Sequence, residues 1–182
     1  MKSMKTLAFS SALLALTGSQ VAAAQTTAPA CVRKADLADA VVYAMPSAIN
    51  ALQAKCAASL PANGYLKKQG AQLTASYTAR QASAWPGARR FLLGYAATGA
   101  KSVDTEMLNM VSSLPAESMR PFVDAMIQQE ISKKIPLKDC RNIEQGVSML
   151  APLPPENMGG LAVFLAQIVG VKQPPICESR QP

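Results

Sequence analysis

The sequence of 182 residues contains no histidine. This absence excludes Ser-His-Asp and Cys-His catalytic pairs and histidine-based zinc sites, since histidine is the most common general base and metal-binding imidazole. The four cysteines are far apart in the sequence, so no Cys-x-x-Cys redox motif or zinc knuckle can form. Aromatic residues make up only 5% of the chain and charged residues 16%, but 49% of the residues are hydrophobic. That composition and length predict one folded domain.

The sequence also lacks a hydrophobic run of membrane-spanning length. Its uncharged stretch 159–171 is far shorter than the ~20 residues that a spanning helix needs. Residues 1–24 have the layout of a secretory signal peptide, with a basic start, a short apolar stretch and a final run of three alanines. We therefore expect an exported protein, periplasmic or secreted, with a domain at 25–177 and a disordered polar tail at 178–182.

Apolar residues recur at helical spacing along the whole chain, and no stretch shows the strict alternation of a strand. This pattern predicts an all-α protein. Prolines 46, 86, 115 and 154/155 separate the apolar stripes, and proline disfavours helix in the residue before it. We therefore predict four helical hairpins with a proline at each bend, at about 32–59, 64–98, 101–134 and 139–170.

Two of these hairpins share a pattern at an offset of 39 residues. Met110, Leu114, Pro115, Glu117 and Met119 recur as Met149, Leu153, Pro154, Glu156 and Met158. A period near 40 residues is typical of helical repeat arrays and favours a short α-solenoid-like stack. The alternative, that two helix–proline–helix corners converged on similar residues, stays open.

The four cysteines are expected to form two disulfides, because exported proteins fold in oxidising surroundings. Four cysteines allow three pairings. In an antiparallel hairpin the start of the first helix lies beside the end of the second. The hairpin model therefore favours Cys31 with Cys56 and Cys140 with Cys177.

Acidic residues are missing between Asp39 and Asp104, an interval that contains seven lysines and arginines, the single tryptophan and all four tyrosines. Such a composition predicts a basic, aromatic-bearing surface that attracts an anionic partner. The candidate binding residues are Lys67, Lys68, Tyr77, Arg80, Trp85, Arg89, Arg90 and Tyr95. The alternative is that the cations lie on ordinary solvated faces and that the aromatic rings belong to the core.

These features predict an exported, non-enzymatic binding protein whose partner is an anionic envelope component or an acidic protein, with nucleic acid not expected. One alternative is a carrier or chaperone for hydrophobic ligands such as lipid, built on methionine-lined helices. Another is a cell-wall hydrolase with a single catalytic glutamate, Glu117 or Glu156, although both positions suit helix capping. Carboxylates are scattered and the thiols are expected to be oxidised, so no catalytic residue, metal site or cofactor is predicted.

Overall fold

The computed structural model describes residues 31–97 and 112–177, together with Glu106 and Met110. These residues form five α-helices and no strand longer than an isolated bridge, which confirms the all-α prediction. The helices are α1 (Lys34–Cys56), α2 (Tyr65–Ala97), α3 (Ala116–Lys134), α4 (Cys140–Leu150) and α5 (Pro155–Ile168), with a short 3-10 helix, Leu137–Asp139, before α4. The predicted signal peptide and C-terminal tail lie outside the described residues.

Helices α1 and α2 form a long antiparallel pair. The side-chain amide of Gln53 donates to the carbonyl of Leu66 at 3.1 Å, and that of Gln81 donates to the carbonyl of Tyr43 at 3.0 Å. The face of α2 toward α1 is a stripe in which apolar residues recur every seven and four positions. All are buried: Leu66, Leu73, Tyr77, Ala84 and Ala88. With 33 residues, α2 extends over about 48 Å and forms the long axis of the molecule.

The predicted bends at Pro46 and Pro86 are wrong, because α1 and α2 run continuously through these residues. A proline inside a helix removes one backbone hydrogen bond and costs about 3 kcal/mol. The extensive packing between α1 and α2 offsets this cost. The predicted bends at Pro115 and Pro154 are confirmed, since each is an extended residue immediately before a helix, with ψ of 142° and 147°.

Helix α1 is the centre of the bundle and packs against α2, α3 and α5. The α1–α5 crossing is close because Gly159 faces α1, where a Cβ atom would lie 2.8 Å from the carbonyl oxygen of Ala38. In an open repeat array each unit contacts only its neighbours. Here the first helix also contacts the last, so the helices surround α1 instead of forming a linear stack.

The two disulfides are Cys31–Cys177 and Cys56–Cys140, so the predicted pairing is wrong. The error follows from the proline at position 46. Because α1 continues through Pro46, Cys31 and Cys56 lie at opposite ends of one helix, about 35 Å apart, far beyond the ~7 Å limit for a disulfide. Both disulfides indicate an oxidising environment. None of the helices in the described ranges has the length and apolar character needed to cross a bilayer.

Candidate functional site

The eight candidate binding residues all lie on α2, and the structure does not bring them together on one face. Lys67 and Lys68 are at the start of the helix, whereas Arg89 and Arg90 lie about 33 Å further along its axis. Successive helical residues are also rotated by about 100°, which points neighbouring cations in different directions. A separation of 33 Å is several times the Debye length of about 8 Å, so these pairs act as separate charges.

The aromatic candidates do not form a stacking surface. Tyr77 and Trp85 are buried, with 1% and 3% of their surface exposed. The Trp85 ring packs 4.9 Å from that of Tyr43, and burial raises the pKa of Tyr77. Tyr95 is partly buried, with its ring centre 6.1 Å from that of Phe91. The predicted role of Tyr77 and Trp85 on an exposed face is therefore wrong, and both belong to the core.

The three arginine candidates have partners within the molecule. Arg80 pairs with Glu156 of α5 at 2.9 Å. Arg90 pairs with Asp36 of α1, also at 2.9 Å. The Nε–H of Arg89 donates to the sulfur of Met119 at 3.4 Å. These side chains connect helices to one another, which leaves Lys67 and Lys68 as the predicted cations that face solvent without an ion pair among the described residues.

Lys67 and Lys68 lie at the end of the α1–α2 pair that the Cys56–Cys140 disulfide closes. We call this end of the molecule the basic end; its five exposed cations are Lys55, Lys67, Lys68, Lys138 and Arg141. They come from the end of α1, the start of α2, the 3-10 helix and the start of α4. None forms an ion pair with a described residue.

One disulfide and one hydrogen bond hold the basic end together. The Cα atoms of Cys56 and Cys140 are 5.6 Å apart. Lys55 precedes the first cysteine and Arg141 follows the second, so their Cα atoms lie within about 13 Å of each other. One turn further along α4, the buried carboxylate of Glu144 accepts a hydrogen bond from the backbone N–H of Leu66 at 3.1 Å. This contact fixes the α2 residues that carry Lys67 and Lys68.

Glu144 also explains why α2 begins where it does. The first turn of α2 contains no acidic residue, although a helix N-terminus has unpaired N–H groups and a partial positive charge. Glu144 supplies the missing carboxylate from another helix. Glu144 is 6% exposed and its carboxylate is directed at the backbone. Asp139, between Lys138 and Cys140, is partly exposed.

At the opposite end of the α1–α2 pair, two cations are paired with a buried acid. There the carboxylate of Asp36, 4% exposed as a residue, receives the guanidinium groups of Arg33 and Arg90 at 2.7 and 2.9 Å. Burial opposes ionisation of Asp36, but the hydrogen bonds and charges of the two arginines outweigh it and lower its pKa. Nearby Asp39 has a raised pKa, because it is partly buried and faces the charge of Asp36.

The sequence analysis missed Lys138 and Arg141, which lie in the acid-containing second half of the chain. In the sequence, Lys138 and Arg141 lie within two residues of Cys140, and Lys55 lies beside Cys56. Only the disulfide between these two cysteines brings the three cations to the same end of the molecule. Lys55 lies within the acid-free interval but is not among the eight candidates; in the structure it occupies the last turn of α1.

The other predicted chemistries find little support in the geometry. Glu117 and Glu156 are solvent-exposed and paired with Arg120 and Arg80, whereas a catalytic carboxylic acid usually needs a buried, apolar setting. Within the described ranges no three potential ligands cluster in a way that could hold a metal ion.

Two surface cavities of about 280 and 350 Å³ lie beside α2. The first has Gln69, Gln72 and Ser76 in its wall, and the second has Asp39, Arg80 and Glu156. Hydrophobic ligands generally need a mostly apolar enclosure. Apolar residues line both cavities as well, Leu73 in the first and Val42 in the second, but both cavities open at the surface and neither encloses a lipid chain.

Compared with known proteins, the chain matches no protein-family model, no curated protein and no solved structure. The functional argument therefore depends on the site itself.

Proposed function

We propose that this chain is an exported, non-enzymatic binding protein that attaches to an anionic envelope surface through its basic end. The observation that carries the proposal is the placement of five exposed cations, none of them in an ion pair with a described residue, at the end of the bundle that holds Cys56–Cys140. Without the expected signal peptide, which contains Lys2 and Lys5 and no acid, the 18 basic and 11 acidic residues of the sequence become 16 and 11, a formal net charge of +5 that adds long-range attraction to the same class of partner.

The chemistry of the basic end favours an extended polyanionic surface over a single small anion. Four of its five cations are lysines, which act as mobile, hydrated point charges and do not impose the bidentate geometry of arginine. The five cations lie on four separate elements. The loop 57–64 between α1 and α2 contains no charged residue. A surface of repeated phosphate groups, such as anionic phospholipid headgroups, matches this arrangement because each lysine near such a surface contributes about 1 kcal/mol.

The test is binding of the oxidised protein to vesicles that contain phosphatidylglycerol, compared with vesicles of phosphatidylcholine alone. The variant Lys67→Glu/Lys68→Glu removes two cations and introduces two anions at the basic end. We expect at least a thirtyfold loss of affinity for the anionic vesicles, as about 1 kcal/mol per charge implies. Raising the salt concentration should weaken the wild-type protein more than the variant.

The matched control is Lys172→Glu, an exposed cation near the Cys31–Cys177 end that pairs with no described acid. We expect its affinity to fall less than threefold. An equal loss per charge in both variants would show that net charge alone drives binding. A wild-type preference for polyglutamate over the anionic vesicles would replace the lipid surface with an acidic protein partner.

A further inference from the structure

Helix α5 has an outer face that no described residue covers. Its inner side packs on α1 through Met158, Gly159 and Val163. On the other side Phe164 and Ile168 are 56% and 65% exposed. No charged residue occurs between Glu156 and Lys172. Large apolar side chains at this spacing on an uncharged face are typical of a helix that contacts another helix.

Helix α3 shows that this position in the bundle does not require an apolar exterior. Both helices follow an extended proline, bury the methionine four residues later and pack on α1. Between residues 116 and 134, however, α3 carries six charged residues, whereas α5 carries one, Glu156. The missing charges on α5 are therefore a property of its outer face and not of its place in the fold.

We propose that the occupant of this face is a second copy of the chain, docked through α5 with the two helices antiparallel and the two-fold axis at Ala162. Gly160 and Phe164 lie on the exposed side of α5, four residues apart, and a Cβ on Gly160 would meet nothing within 4 Å. In this register Phe164 of each copy lies over Gly160 of the other. A projecting ring and a glycine gap on the same helix make the face complementary to itself, as a two-fold interface requires.

The flanking polar residues fit the same register. Asn157 and Gln167 are both exposed, and the axis at Ala162 places Asn157 of each copy opposite Gln167 of the other. Their side-chain amides can donate to and accept from each other, so the edge of the contact has complementary, uncharged hydrogen-bonding groups. A positively charged protein can approach a second copy here because the surface brings no like charges together.

The exposed apolar side chains can form the centre of such an interface. Phe164 and Ile168, 56% and 65% exposed, lie on the contact face, and Leu165 and Val169 continue the apolar surface around α5. A standard interface covers roughly 800 Å² per partner, so the polar residues around these side chains have to contribute the rest. Since α5 crosses α1 near Ala38, about 27 Å from Cys56 along the axis of α1, the basic ends of both copies stay free.

The experiment measures the mass of the oxidised protein by sedimentation equilibrium over a range of concentrations, with circular dichroism as a check on folding. We expect a dimer for the wild type. Phe164→Asp and Gly160→Lys should each weaken dimerisation at least tenfold, since both positions are exposed and neither change disturbs the described core. An equal mixture of the Phe164→Asp and Gly160→Lys variants should restore the dimer, because the aspartate of one copy then faces the lysine of the other, whereas in a double variant the two charges would pair within one helix.

Only a second copy in this register predicts the rescue. A wild-type protein that is monomeric at every concentration overturns the proposal, and so does a dimer that Phe164→Asp leaves intact. Loss of the dimer in both single variants without rescue in their mixture overturns the antiparallel register. Binding of phosphatidylcholine vesicles that requires Phe164, with a monomeric wild type, would replace the second copy with a lipid surface.

Discussion

The two ends of the α1–α2 pair are built from similar parts and use them differently. Each end is closed by a disulfide and contains one buried carboxylate surrounded by cations. At the Cys31–Cys177 end, the carboxylate of Asp36 binds two arginines. At the basic end, the carboxylate of Glu144 accepts a hydrogen bond from a backbone N–H group, and the five cations form no ion pair with any residue that the structure describes.

The difference shows how a buried acid determines the role of its neighbours. An acid that is bound by arginines converts them into structural links, and their charge is no longer available to a partner. An acid that is bound by the backbone stabilises the helix and leaves the nearby lysines free. The position of two carboxylates therefore separates a structural cluster of cations from a candidate binding surface on one molecule.

The largest expected effect comes from removing each disulfide in turn. The loops that they close span 146 and 84 residues, for which chain entropy gives upper values of about 5 and about 4.5 kcal/mol. Cys31→Ala/Cys177→Ala and Cys56→Ala/Cys140→Ala should therefore lower the free energy of unfolding by similar amounts in urea denaturation.

Binding should distinguish the two disulfide variants where stability does not. Under conditions in which both are folded, we expect only Cys56→Ala/Cys140→Ala to lose affinity for anionic vesicles, because that disulfide joins the elements that carry the basic end. Equal affinity in the two variants would contradict the claim that the disulfide assembles the site.

The next effect concerns Asp36. Charge-assisted hydrogen bonds contribute about 1.5–3 kcal/mol each, but Arg33 and Arg90 are half exposed and regain water when the carboxylate is removed. We expect Asp36→Asn to lower the free energy of unfolding by about 2 kcal/mol at pH 7. As a control at the basic end, Lys67→Ala/Lys68→Ala should change it by no more than about 0.5 kcal/mol.

The Asp36 effect should depend on pH with a defined sign. The folded protein lowers the pKa of Asp36 below its ordinary value of 3.8, so the ionised carboxylate stabilises the fold above that pH and loses this effect as the pH falls below it. The stability difference between the wild type and Asp36→Asn should therefore be constant from pH 7 to about 5 and shrink below pH 4. A difference that grows on acidification would refute the assignment.

The sequence predicted the helices well because their apolar faces are continuous. The stripe from Leu66 to Ala84 repeats at helical spacing, and its members Leu66, Leu73, Tyr77 and Ala84 are all buried. The sequence failed at Pro46 and Pro86 because a local rule about proline says nothing of the tertiary contacts that hold a helix together across it. That one error produced the wrong disulfide pairing, since a bend at Pro46 would have returned Cys56 toward Cys31.

The binding surface could be predicted only in part for a related reason. Lys67 and Lys68 stand out in an acid-free interval, but Lys138 and Arg141 reach them only through a disulfide that closes a loop of 84 residues. The prediction that Tyr77 and Trp85 lie on the surface was wrong because their spacing along the helix is the same whether their side of the helix is buried or exposed. Arginines 80 and 90 failed because their acidic partners, Glu156 and Asp36, are distant in sequence.

The smallest expected effect is that of Glu144→Gln, a substitution at the other buried carboxylate. Glu144→Gln keeps a side-chain oxygen that can accept the Leu66 N–H but removes the charge that offsets the N-terminus of α2, so we expect a loss of about 1 kcal/mol in the free energy of unfolding. Glu144→Ala should cost up to about 3 kcal/mol, because it leaves that N–H buried without a partner. Affinity of Glu144→Gln for anionic vesicles should stay within threefold of the wild type or rise, since the lysines remain in place and a negative charge is gone. A large fall in affinity with an unchanged fold would mean that Glu144 positions the lysines through its charge, and the two ends would then differ less than their contacts indicate.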